Sequence, residues 1–231
     1  MLVSILLMSF GFVFMVLFII GKVVNYSLKV TIVKGLASSM FVALAIYLFY
    51  MKGCPRLGAF LIAGSTLGFV GDILLGLKRT FTNKTSLFNY GGLLSFLIGH
   101  VVFIVGLYVT YYNKGHVAAA IVPFVVAILF SVSVVKFQKY LNLNFGNKGL
   151  PTFIYIILVA SFSFSSFALL ISNSFHGVPL IMITVGAFFF LNSDLLLCKT
   201  YFGKSNIFEG VLYSILYYIA QFLIAFSLFF L

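Results

Sequence analysis

The chain has 231 residues, 63% of them apolar and 7% charged, with 14 Lys and Arg against 3 Asp and Glu. No stretch is polar enough to make a separate soluble domain, so residues 1–231 read as a single polytopic membrane domain. The formal net charge of +11 does not point to nucleic acid, because the cations stand singly in short connectors and do not gather on one face.

Taken in order, apolar runs of helix length cover roughly 2–20, 30–50, 57–77, 88–112, 117–136, 152–172, 178–198 and 208–230, each close to the ~20 residues that cross hydrocarbon. The runs are continuous and do not alternate with period two, which excludes a β-barrel and predicts an all-α bundle of eight transmembrane helices. The first run has no basic n-region and no small-residue cleavage site, so it reads as a retained span and not a signal peptide.

The second span carries Lys34 and the third Asp72, in Gly64-Ser-Thr-Leu-Gly-Phe-Val-Gly-Asp72-Ile-Leu-Leu-Gly76. Charge inside hydrocarbon costs several kcal/mol and persists where it meets a partner, water or a ligand. Gly64, Gly68 and Gly71 have the small-xxx-small spacing that lets helices approach closely, which would turn the carboxylate inward. His100 lies within the fourth span, whereas His116 and His176 fall in connectors and read as surface residues. The seventh span carries Asn192, Ser193 and Asp194; the first two can donate hydrogen bonds to the carboxylate or to a ligand. In the eighth, Tyr217, Tyr218 and Gln221 are close together, with Tyr217 and Gln221 four apart on one face.

The connectors orient the bundle. Those after spans 1, 3, 5 and 7 hold Lys22, Lys29, Lys78, Arg79, Lys84, Lys136, Lys139, Lys148, Lys199 and Lys204; those after spans 2, 4 and 6 hold Lys52, Arg56 and Lys114. This bias places the first group in the cytoplasm and both termini on the non-cytoplasmic side, as in a bacterial plasma membrane. Cys54 and Cys198 then fall on opposite faces, and no disulfide is expected. Asp72 lies six residues before Lys78, about 9 Å at the helical rise. Asp194 lies five before Lys199, and Lys34 five after Lys29. Lys34, Asp72 and Asp194 therefore share one level in the inner half of the bilayer, and the two aspartates are expected to meet in one inward-opening chamber. Phe69-Val-Gly-Asp72-Ile-Leu-Leu with Lys78 is also similar to Leu191-Asn-Ser-Asp194-Leu-Leu-Leu with Lys199, four spans apart, which suggests a parallel duplication. Two leucine-rich helices can also be alike by composition alone.

No phosphate-cradling glycine loop, Gly-x-Ser-x-Gly elbow or zincin motif is present, so nucleotide-driven transport and serine hydrolysis lack their machinery. A three-histidine zinc centre is excluded by count within the membrane. A metal held by Asp72, Asp194 and His100 stays an alternative, but no metal or other cofactor is expected.

Together these residues resemble the YhhN-like lysoplasmalogenases, polytopic membrane hydrolases of vinyl-ether lysolipids. The resemblance is carried by Lys34, by Gly71-Asp72-x-x-Leu75 and by Phe96-x-x-x-His100. It continues in Phe190-x-x-Ser193-Asp194 and Tyr217-Tyr218-x-x-Gln221, all in order across the spans. Gly35 stands where the family often has proline, and Phe103 where it often has tyrosine. The resemblance implies cleavage of the sn-1 vinyl ether bond of a lysophospholipid within the bilayer, to fatty aldehyde and glycerophosphoethanolamine or glycerophosphocholine. Asp72, Asp194 and His100 would then be catalytic, and Lys34, Asn192, Ser193, Tyr217, Tyr218 and Gln221 would bind substrate. The two carboxylates can divide proton donation from charge stabilisation, as in glycosidases. The same Asp, Lys and His set would also serve a proton- or ion-coupled transporter, the competing reading.

Overall fold

The computed structural model describes residues 1–146 and 149–231. Lys148, one of the cations counted above, lies outside the described residues. Among the described residues eight long helices follow one another: α1 (Leu2–Val24), α2 (Leu28–Met51), α3 (Arg56–Thr80), α4 (Thr85–Tyr111), α5 (Val117–Lys136), α6 (Gly149–Ser172), α7 (Val178–Phe202) and α8 (Ile207–Phe226). All eight are long and apolar enough to cross a membrane, so the protein is an integral membrane protein. Short 3₁₀ turns at Thr82–Lys84 and Ser227–Phe230 precede α4 and follow α8.

Local chemistry sets the helix ends. Pro55 stands at the extended residue before α3, and Pro179 falls in the first turn of α7, where a missing N–H costs nothing. Gly177, just before α7, has φ +98°, a conformation open to glycine and strained for other residues. Pro123 sits inside α5, and the helix continues through it.

The chain divides into two compact units, Met1–Phe103 with Ile224–Leu231, and Ile104–Leu223, with divisions inside α4 and α8. In the first unit α1 packs on α2 and α2 on α3, with the Ser227–Phe230 turn against α2. Its buried side chains include Phe41, Leu44, Leu48, Leu57, Leu61 and Leu228. Glycines bring α3 against α4: a Cβ on Gly71 would stand 2.7 Å from the Phe96 ring, and one on Gly64 would overlap the Phe103 ring. From the other side, Cβ atoms on Gly92 and Gly99 would lie 3.2 Å from the carbonyl oxygens of Gly71 and Gly64. Ridge and hollow alternate every seven residues on both helices, which is the close approach that the small-residue spacing anticipates.

In the second unit α5 packs on α6 and α6 on α7. Ala127, Val159, Ala160 and Leu191 form one cluster, and Val134, Leu143, Phe145 and Ile156 another. The segment after α5 folds back on the end of α7, where the Asn144 amide donates to the Phe202 carbonyl at 2.7 Å and Phe145 meets the Phe202 ring edge-on. The two units thus repeat one order of neighbours, first helix on second and second on third. In both, the first helix, α1 or α5, is the least buried of the three.

Candidate active site

In the first unit the intramembrane charges resolve into a bonded cluster. Lys34 and Ser38 lie four residues apart on α2 and so on one face. From there the Lys34 ammonium meets Asp72 Oδ1 of α3 at 2.7 Å, and the Ser38 hydroxyl donates to Oδ2 at 2.5 Å. Lys34 also donates to the Asp72 carbonyl at 3.4 Å. Asp72 is 2% exposed and Lys34 13%, so the pair is removed from the surroundings of the helices. A carboxylate that accepts on both oxygens, from an ammonium on one and a hydroxyl on the other, is fixed in orientation. Gly35 sits between the two α2 donors, and a Cβ there would come within 2.5 Å of Ile73. The glycine found where the family often has proline therefore lets α2 approach the helix that carries Asp72.

His100 is buried in the same unit. Its Nδ1 lies 2.8 Å from the Phe96 carbonyl, and since a carbonyl can only accept, Nδ1 carries the proton and Nε2 offers a lone pair in the neutral ring. The ring meets Phe103 edge-on at 6.4 Å. Phe103 thus fills the hollow over Gly64 and walls the histidine, a role that needs no tyrosine hydroxyl.

In the second unit Asp194 is 8% exposed, and its Oδ2 accepts the Tyr155 hydroxyl of α6 at 2.9 Å. Ser193 donates across to the Tyr213 carbonyl at 2.8 Å, tying α7 to α8, and Asn192 faces outward and donates to the Phe188 carbonyl of its own helix. The hydrogen bonds of Asn192 and Ser193 thus run to backbone carbonyls and not to the carboxylate beside them. On α8, Tyr217, Tyr218 and Gln221 are all buried. Tyr217 meets Phe190 and Tyr218 edge-on, and the Gln221 amide nitrogen lies 3.5 Å from the Tyr217 hydroxyl. Gln221 Oε1, 1% exposed as a residue, has no hydrogen-bond partner among the described residues. A buried amide oxygen of this kind is an acceptor ready for a donor.

Ser38 and Tyr155 are the two residues that the sequence reading did not single out. Each lies on the helix preceding its aspartate: 34 residues separate Ser38 from Asp72 and 39 separate Tyr155 from Asp194, against 38 for Lys34 and Asp72. The third carboxylate, Glu209, caps the start of α8 through Asn206 and pairs with Lys199. Among the described residues no group of three or more His, Cys, Asp and Glu is gathered as metal ligands. Cys54 and Cys198 are free thiols, and His116 and His176 are exposed.

A family model described as the YhhN family matches residues 31–228. The chain belongs to the YhhN family, the lysoplasmalogenase family. No curated protein and no solved structure matches it. The YhhN segment begins in α2 and runs to the end of α8, so it holds every candidate residue from Lys34 to Gln221 and leaves α1 outside.

Proposed function

We propose that this YhhN-family protein is a membrane lysoplasmalogenase that hydrolyses the sn-1 vinyl ether bond by carboxylate acid–base chemistry, without a cofactor. The observation that carries the reading is the pair of buried intramembrane aspartates, each held by a side chain from the preceding helix in a chain of this family. Hydrolysis begins with proton transfer to the β-carbon of the alkenyl group, which leaves an oxocarbenium ion. Water adds to that cation and releases a proton, and the hemiacetal so formed collapses to fatty aldehyde and the freed glycerol hydroxyl.

The two carboxylates suit different parts of this sequence. Asp72, paired with Lys34 and bonded by Ser38, stabilises positive charge developing on the ether oxygen and carbon. Asp194 bonds a neutral phenol, which can donate to one oxygen while the other carries a proton, and it is the proton donor. His100, with Nε2 as acceptor, and Gln221, with its buried Oε1, receive hydrogen bonds from the attacking water or the glycerol hydroxyls. Tyr217 and Tyr218, buried beside Gln221, are assigned to substrate binding with it, and Lys34 to the substrate phosphate.

A direct test supplies purified protein with a lysoplasmalogen and, separately, with an ester-linked lysolipid of the same headgroup. Aldehyde from the first alone is the expected result. No aldehyde, with solute uptake into proteoliposomes that dissipates a pH gradient, would favour coupled transport by the same charged residues. The membrane is proposed to be a bacterial plasma membrane on the distribution of cations.

A further inference from the structure

We propose that Lys22 and Arg79 complete, with Lys34, a binding site for the phosphodiester of a single-chain lipid headgroup at the end of the first unit where α1 and α3 finish and α2 begins. This rests on the lysophospholipid reading above and adds residues to which that reading gives no role; Lys22 lies outside the segment matched by the family model.

The site is built by close packing of three helix ends. A Cβ on Gly21 would stand 2.7 Å from Val30, and one on Gly76 would stand 2.6 Å from Thr31, so α1 and α3 both come tightly against the first turns of α2. That packing converges cations from three helices. The ring of Phe18, only 4% exposed, has the Lys22 ammonium 5.9 Å and the Lys34 ammonium 5.8 Å from its centroid. The Arg79 guanidinium lies 4.8 Å over Tyr26, whose hydroxyl accepts from Thr31 at 3.4 Å. Lys22 is half-buried and lies within electrostatic reach of Arg79 and Lys34.

The charge balance at this end is one-sided. Lys22, Lys29, Lys34, Lys78, Arg79 and Lys84 all belong to the inner ends of the first unit, and Asp72 is the only acidic residue in that unit. Asp72 is engaged by Lys34 and Ser38, and Lys78 bonds the neutral Asn89 side chain at 2.9 Å. Membrane orientation explains cations in the connectors on this side. It does not require Lys22 and Lys34, from two helices, to share the Phe18 ring, where like charges repel, while Arg79 of a third covers Tyr26. An anion among them removes that repulsion. Planar guanidinium and mobile ammonium groups together suit phosphate oxygens. From a lysolipid held there, the sn-1 linkage would extend back along α3, whose preceding two turns carry Asp72.

The test measures binding, not turnover, in a nonionic detergent. Probes are an alkyl-ether lysophosphatidylcholine, which has the phosphate but no vinyl bond, a monoalkylglycerol of the same chain length, and inorganic phosphate. Lys22→Gln and Arg79→Gln should each weaken the lysophospholipid at least about tenfold and leave the monoalkylglycerol unchanged, while Lys22→Arg and Arg79→Lys restore most of the loss. In the wild type, added salt should weaken the lysophospholipid alone, a readout that needs no variant to fold. Inorganic phosphate should compete only weakly; equal affinity for it would make this a free-phosphate site and overturn the lipid assignment. Equal weakening of both lipids, or no weakening, would overturn the site. Charge-dependent binding by a protein that releases no aldehyde would uphold the site and defeat the proposed reaction instead.

Discussion

Lys34 and Asp72 are close enough to complete one another, and removing either leaves a buried charge. Breaking a buried pair costs about 3–5 kcal/mol, while removing both partners costs far less. Lys34→Met is therefore expected to lower the melting temperature in detergent more than the Lys34→Met, Asp72→Asn double variant does; the reverse order would show that the pair contributes nothing to the fold. Tyr155→Phe removes one hydrogen bond to Asp194 with little loss of volume. It should lower kcat for aldehyde release about tenfold with KM nearly constant, as expected when a positioning bond of about 1.5 kcal/mol is lost. A change in KM alone would assign Tyr155 to substrate contact.

At this scale the charged residues were legible and their hydroxyl partners were not. A lysine and an aspartate inside apolar runs stand out against lipid on cost alone. Ser38 and Tyr155 do not, because serine is unremarkable in a membrane helix and the chain has 13 tyrosines. A signal existed in each case: Ser38 lies one turn beyond Lys34, and Tyr155 precedes Asp194 by almost the interval at which Lys34 precedes Asp72.

Between helices, the controlling feature is the glycine face of α3. Gly71→Ala directs a methyl into the Phe96 ring, so α3 and α4 must separate or the ring must turn, and Asp72 is the next residue. The variant should lose both thermal stability and activity, and adding Phe96→Leu should recover part of each. Gly210→Ala, where a Cβ meets nothing within 4 Å, should leave stability equal or higher, since alanine is the better helix former by about 1 kcal/mol. Equal effects at the two glycines would mean that close approach is not what Gly71 provides. The spacing of these glycines was readable in advance. Their opposing Phe96 and Phe103 were not, since 30 phenylalanines give no hint of which ones fill a hollow.

Across the whole chain, the suggestion of a duplication gains content from the contacts within each unit. Helix order, the more exposed first helix and a carboxylate on the third bonded from the second recur in both. So does a lysine at the end of the third helix bonded near the start of the fourth: Lys78 to Asn89, eleven residues apart, and Lys199 to Glu209, ten apart. The two units differ in chemistry, cation and serine in one, phenol in the other, which suits two carboxylates with different tasks. Eight spans and the cation bias predict that both termini lie outside. Cys54, exposed in the connector after α2, should therefore react with a membrane-impermeant maleimide in intact cells. Labelling only after permeabilisation would invert the topology.

The most direct measurement is aldehyde release from a lysoplasmalogen by purified wild type, Asp72→Asn and Asp194→Asn, each shown to be monodisperse beforehand. The account predicts steady release by the wild type and a fall of at least about a hundredfold in both variants, the usual scale for losing a general acid or its electrostatic partner. Turnover near the wild-type rate in either variant would contradict it.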